Sequence, residues 1–407
     1  MEVLTTSAAV KQTDAAAPTP NAVILPNLTS LRGIAALLVI FFHYHLFITP
    51  LITEKTSPIV GKLYLMVDLF FILSGFVMAH VYGPAFKTGV SGRGFWTFIG
   101  ARFARIYPLH LLTLLVMIGL GLTANATGAT SEVTRTIYNF SAIPAQILLL
   151  QGMGIQHEAT WNSPTWSISV EWWTYLLFPF IALGLAHSGR WSRRLLAAIV
   201  AAGYAAVLFY FQPRFWAERW VLLGIPANVP YPMHVLDDIT GIGALVRCVC
   251  GFAFGILLYE AFRSSRTRAL VAPGYVFAAA WIALLGLWQF KRLSDGGAVV
   301  ILGLIILSAA CNADWLSRLL SHRVWRQMGD ISYSLYLVHL PLILAFWIVR
   351  HLLVAPDPQA MSPMGYRFTK PEGLAGLAAL YIAAIGAATL TYRFVEQPAR
   401  RWLRTVL

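Results

Sequence analysis

The sequence predicts an all-α integral membrane protein: about ten transmembrane helices around a central cavity, with both termini in the cytoplasm. Three observations lead there. The chain is 58% hydrophobic and only 12% charged, about half the charged share of a soluble domain. Apolar stretches of spanning or near-spanning length recur along it. Lys and Arg collect in alternate connecting segments, the pattern of the positive-inside rule.

Taken in order, candidate spans fall near 30–50, 63–83, 103–124, 168–187, 193–212, 240–261, 272–290, 297–311, 331–351 and 373–394. A span needs about 20 apolar residues, so 297–311 is short. Residues 1–27, rich in Ala, Thr and Pro, read as a disordered cytoplasmic tail, because no apolar core follows a basic start as in a signal peptide. Residues 28–402 form one transmembrane domain and 403–407 a C-terminal tail. With the N-terminus inside, basic residues on the inner side outnumber those outside by about two to one. The long loops near 125–167 and 213–239 then face outward.

The net charge of +13 fits this topology and an anionic lipid surface rather than nucleic acid. The three cysteines, Cys248, Cys250 and Cys311, sit in apolar segments as small core residues. Their spacing gives neither a disulfide framework nor a metal site.

Arg32 and His43 share the first span. Eleven steps of about 100° are roughly three turns, so both side chains point to one face, about 16 Å apart along the axis. Ionisable groups at membrane depth face protein or a wet cavity. His43 is either a helix-to-helix hydrogen-bonding group or a general base. Arg102 and Arg105 share a face at the inner start of the third span, as membrane anchors or as an anion clamp. Glu171 lies among tryptophans at the outer entrance of the fourth span, placed to orient His43. Asp68 is a second candidate carboxylate, either for chemistry or for a hydrogen bond between helices. Ser332, Tyr336 and His339 make a polar stripe on the ninth span. Trp166, Trp172 and Trp173, with Trp161, offer faces for stacking on a sugar, against the competing reading of an interfacial aromatic belt.

Arg32 with ten residues to His43, Asp68-Leu-Phe-Phe-Ile-Leu-Ser-Gly75, Arg102-Phe-Ala-Arg105, Trp166 to Glu171, Ser332 to His339 and Phe394-Val-Glu-Gln-Pro398 stand in that order along 28–402. Together they resemble the acyltransferase-3 family of membrane-bound O-acyltransferases, in the stand-alone form without an appended esterase-like domain. The resemblance implies transfer of an acyl group, most often acetyl from acetyl-CoA, across a bacterial inner membrane. The acceptor it implies is a sugar hydroxyl of an exopolysaccharide, O-antigen, peptidoglycan or glycolipid. No metal is implied. Arg32, Arg102 and Arg105 match the motifs assigned to the CoA nucleotide and phosphates, and His43 matches the position proposed as catalytic. On this reading Glu171 and Asp68 assist His43, the Ser332, Tyr336 and His339 stripe joins the donor site, and the tryptophans meet the acceptor. A transporter or channel with a cavity lined by His, Arg and Glu is the alternative, and the lack of an internal repeat weighs against it.

Overall fold

The computed structural model describes residues 25–130, 132–156, 158–187, 189–222, 235–237, 240–354 and 368–406, and every regular element among them is helical. Helix α1 (Pro26–Phe47) opens on a proline, which needs no N–H partner at a first turn. It therefore starts inside the expected tail 1–27, of which 1–24 lies outside the described residues. A 3₁₀ turn, Val60–Leu65, leads into α2 (Met66–Val81). The 36-residue α3 (Gly92–Thr127) is capped by Ser91 and stopped by Gly128 at φ 73°. It starts eleven residues earlier than the expected 103. Arg102 and Arg105 thus stand about three turns inside the helix rather than at its mouth.

Short helices α4 (Glu132–Ile137) and α5 (Ile143–Ile147) precede α6 (Trp166–Ala186). A π turn joins α7 (Arg190–Ala206) to α8 (Gln212–Leu222), and α9 (Ile242–Phe262) follows. Helices α10 (Ser265–Val271) and α11 (Gly274–Gln289) meet at a 64° bend, ahead of α12 (Asp295–Cys311). The short α13 (Trp315–Leu320) and α14 (Arg323–Asp330) lead to α15 (Ser332–Leu353). Helix α16 (Lys370–Thr391) opens on a Thr369/Glu372 capping box and passes through a second π turn, Tyr392–Glu396, into α17 (Gln397–Val406). The expected C-terminal tail is therefore helical to Val406.

Among the described residues eight helices are long and apolar enough to span a membrane, or nine if the bent pair counts as one. The expected spans 272–290 and 297–311 correspond to helices of 16 and 17 residues. Each is about 25 Å long, less than a hydrocarbon core of about 30 Å.

The interior is organised by α2 against α9. Gly75 and Gly255 let the backbones touch: a Cβ on Gly75 would fall 1.9 Å from Phe252 O, and one on Gly255 2.0 Å from Ile72 O. Gly251 and Gly255 form a small-xxx-small stripe, the usual basis of close helix association in lipid. Asp68 on α2 and Arg247 on α9 lie on the same seam.

The described residues of segment 138–165 are non-helical for much of its length, yet many of their side chains are buried. Trp161 is fully buried, and Asn162 Nδ2 donates to Leu337 O in the first third of α15. Irregular backbone at that depth must be satisfied by protein. Gln146 donates to Thr160, Gln151 to Thr165, Trp161 Nε1 to Asn139 O, and His110 meets Gln146 O at 2.9 Å. Helix α6 consequently begins beside Tyr336 of α15, whose Oη donates to Pro164 O at 2.9 Å.

Candidate active site

A cavity of about 350 Å³ opens between α1, α2, α3, α6, α15 and α17. Arg32, Arg102, Arg105 and Arg400 line it, together with Glu171 and Tyr336. The two arginine motifs named in the sequence, 70 residues apart, thus meet at one site.

The four guanidiniums are held differently. Arg32 Nη2 donates to Ser332 Oγ at 3.0 Å. Arg105 pairs with Glu396 at 3.3 Å, and Arg400 approaches the same carboxylate at 3.5 Å. Arg102 is buried. Its guanidinium donates to Tyr82 Oη at 2.5 Å and stacks on that ring at 4.7 Å, with no carboxylate in ion-pair range among the described residues and no hydrogen bond from Nε. A desolvated cation without a counter-ion beside a cavity is an anion site in waiting.

Glu396 is the residue that sequence reasoning left without a role. It is 1% exposed and accepts from Ser334 Oγ (3.1 Å) as well as from the two arginines. It ends a π turn, a distortion frequent at functional sites. Its place in the Phe394–Pro398 motif was the available signal. Arg400, read as inner-side charge only, is the other addition.

Arg32 and His43 do share a face of α1, and α15 meets both: Ser332 takes Arg32, and His339 Nε2 lies 3.1 Å from His43 Nδ1. His43 Nδ1 is also 3.1 Å from Val39 O. A carbonyl only accepts, so Nδ1 carries the proton and Nε2 keeps its lone pair. The half-buried ring stacks on Phe47 at 5.9 Å. His43 does not line the arginine cavity. Tyr336 stands between, its ring 5.9 Å from both His339 and Phe70, and both Tyr336 and Phe70 line the cavity.

Several expected placements are corrected. Glu171 accepts from Tyr175 Oη at 2.7 Å inside the arginine cavity and does not contact His43, because α6 starts so deep that residue 171 falls at the level of the arginines. Asp68 is fully buried on Arg247, with bonds of 3.0 and 2.6 Å, and so joins α2 to α9 instead of serving His43. His339 faces His43, not the arginines; of its stripe, Ser332 and Tyr336 line the cavity. The tryptophans are occupied by protein. Trp166 lies under Arg247 (5.3 Å) and against Phe71, Trp172 packs on Phe103, and Trp173 Nε1 donates to Leu149 O. Glu260, unassigned in the sequence, pairs with Arg193 and Arg263.

Comparison with known proteins gives the site its context. A family model of the acyltransferase-3 type, described as an acyltransferase domain, matches residues 25–393. The acyltransferase MdmB of Streptomyces mycarofaciens is 27% identical, covering 94% of each chain. The peptidoglycan O-acetyltransferase OatA of Listeria monocytogenes is 22% identical over 93% of this chain, which spans 56% of that longer protein. The exopolysaccharide production protein ExoZ of Rhizobium meliloti is 25% identical over 67% of this chain and 74% of its own. No solved structure matches significantly. With its apolar helices, its arginine cavity and a family match over nearly its whole length, the chain belongs to the acyltransferase-3 family of multi-pass membrane proteins.

Proposed function

We propose that the chain is a bacterial inner-membrane O-acyltransferase with both termini cytoplasmic. It carries an acyl group, acetyl in the first instance, from cytoplasmic acyl-CoA to a sugar hydroxyl of an extracytoplasmic or lipid-linked glycan such as an exopolysaccharide or O-antigen. The observation that carries this reading is the cavity in which four arginines meet and in which Arg102 has no carboxylate partner among the described residues. Guanidiniums on adjacent turns suit the phosphates of a CoA nucleotide, which bind by paired, charge-assisted hydrogen bonds. The names of OatA and ExoZ support an acetyl donor and a glycan acceptor.

The pantetheine arm is thin and uncharged. With the phosphates at the arginines, it passes Tyr336 and Phe70 to bring the thioester to His43, over a path of about 16 Å along α1. His43 Nε2 takes the proton of the acceptor hydroxyl, and the oxygen attacks the thioester carbonyl carbon. The C–O bond forms, the C–S bond breaks, and the proton passes from His43 to the departing sulfur. Among the described residues the rings against His43 are Phe42, Phe47 and His339, none of which is a nucleophile of the Ser or Cys type, so direct transfer is the proposed route.

Membranes from cells expressing the chain, given radiolabelled acetyl-CoA, should release CoA and incorporate label into glycan or lipid-linked glycan. His43→Ala should lower incorporation at least 100-fold while acetyl-CoA still binds. Equal incorporation by that variant would sink the assignment.

A further inference from the structure

We propose that His339 is a positioning residue for the transfer step and acts through His43. The inference rests on the acyl-transfer reading above and gives its base a defined partner. His43 Nδ1–H is shared between Val39 O and His339 Nε2, both at 3.1 Å, and the rings are 4.8 Å apart at 36°. The carbonyl fixes the tautomer, and His339 adds an acceptor on a different helix. Two points of attachment, one on α1 and one on α15, hold the imidazole plane so that Nε2 keeps one direction.

The acceptor also matters once chemistry begins. When Nε2 takes the hydroxyl proton, His43 becomes a cation at membrane depth. The lone pair of His339 Nε2 then faces a charged donor, and hydrogen bonds to ionised groups are roughly twice as strong as neutral ones. This is the place a carboxylate occupies behind a catalytic imidazole, filled here by a neutral ring. The nearby carboxylates are committed elsewhere: Asp68 to Arg247, Glu171 to Tyr175, and Glu396 to Arg105 and Arg400. A neutral acceptor also avoids placing a permanent anion beside a thioester carbonyl that must become more negative during attack. His339 is fully buried, so its acceptor competes with no bulk water.

The test uses full-length protein in membranes with radiolabelled acetyl-CoA as the probe. Three substitutions are compared: His339→Phe, which keeps a ring and removes the acceptor; His339→Gln, whose amide oxygen can take the place of Nε2; and His339→Phe combined with His43→Ala. His339→Phe should lower the transfer rate about 30- to 100-fold while acetyl-CoA affinity stays within about twofold, since the arginine cavity is untouched. His339→Gln should recover at least a third of the lost rate on a logarithmic scale. In the His43→Ala background His339→Phe should cost nothing more, because residues acting as one unit are not additive.

Full activity in His339→Phe would overturn the proposal, as would equal losses in rate and affinity, no recovery by Gln, or a further loss in the His43→Ala background. If His43→Ala itself leaves transfer intact, the reading of the site fails first. If His43→Ala abolishes transfer and His339→Phe does not lower it, the inference alone fails.

Discussion

Arg247 holds both oxygens of Asp68, at 3.0 and 2.6 Å, in a contact where neither side chain is more than 1% exposed. Trp166 covers the guanidinium at 5.3 Å. A charge at this depth is tolerable only with such a partner. The pair therefore fixes how α2, which carries Phe70 and Met78 into the cavity, sits on α9.

Breaking the pair from either side strands the other charge. Asp68→Leu or Arg247→Met alone should destabilise the solubilised protein by about 3–5 kcal/mol, whereas the two changes together should recover most of that loss. Thermal unfolding of the four-member set checks it. Equal losses in the singles and the double would mean that the seam is held by packing alone.

Arg102 predicts effects of opposite sign on binding and stability. It is buried without a carboxylate, so Arg102→Met removes an uncompensated charge and should leave the melting temperature unchanged or higher. The same change should weaken acetyl-CoA binding by about 1.5–3 kcal/mol, or roughly 10- to 150-fold. Calorimetric melting and titration with acetyl-CoA read the two effects separately. A variant that is less stable and binds normally would return Arg102 to a structural role.

Glu396 gives Arg105 and Arg400 a single shared negative charge. Glu396→Gln should lower the stability of the ligand-free protein by about 2 kcal/mol, less than a fully dry pair would lose because Arg105 keeps 21% exposure. Saturating CoA supplies phosphates in place of the carboxylate, so the rise in melting temperature on adding CoA should be larger in the variant than in the wild type. A smaller rise would mean that Glu396 shapes the site for CoA rather than standing in for it.

Close helix contact makes the glycines unequal. Gly75→Ala and Gly255→Ala meet backbone atoms at about 2 Å and should cost more than about 3 kcal/mol or abolish membrane expression. Gly119→Ala and Gly286→Ala meet nothing within 4 Å and should be neutral or stabilise by up to about 1 kcal/mol, as Gly to Ala does in a helix. Expression level and detergent melting distinguish the two groups.

Much of this molecule is readable from residue order. Apolar length places the helix starts within about four residues except for α3, which begins eleven residues early, and helical period puts Arg32 and His43 on one face. The depth of α6 is not readable, because segment 138–165 is polar and irregular and looks like an external loop. Within it Gln146 donates to Thr160, Gln151 to Thr165 and Thr165 to Gln146, while Asn162 donates to Leu337 O of α15. That depth moves Glu171 from His43 to the arginine cavity.

The partnerships of charged residues show the same division. Sequence alone established a helical membrane protein, a helix with an Arg near one end and a His well inside on the same face, and an arginine pair one turn apart, since these follow from local period and transfer energy. Tertiary structure decided that Asp68 belongs to Arg247, that Glu396 restrains Arg105 and Arg400, and that His339 rather than a carboxylate stands behind His43. Buried charges pair with whatever the packing of distant helices brings within about 3 Å, and that distance has no trace in local spacing.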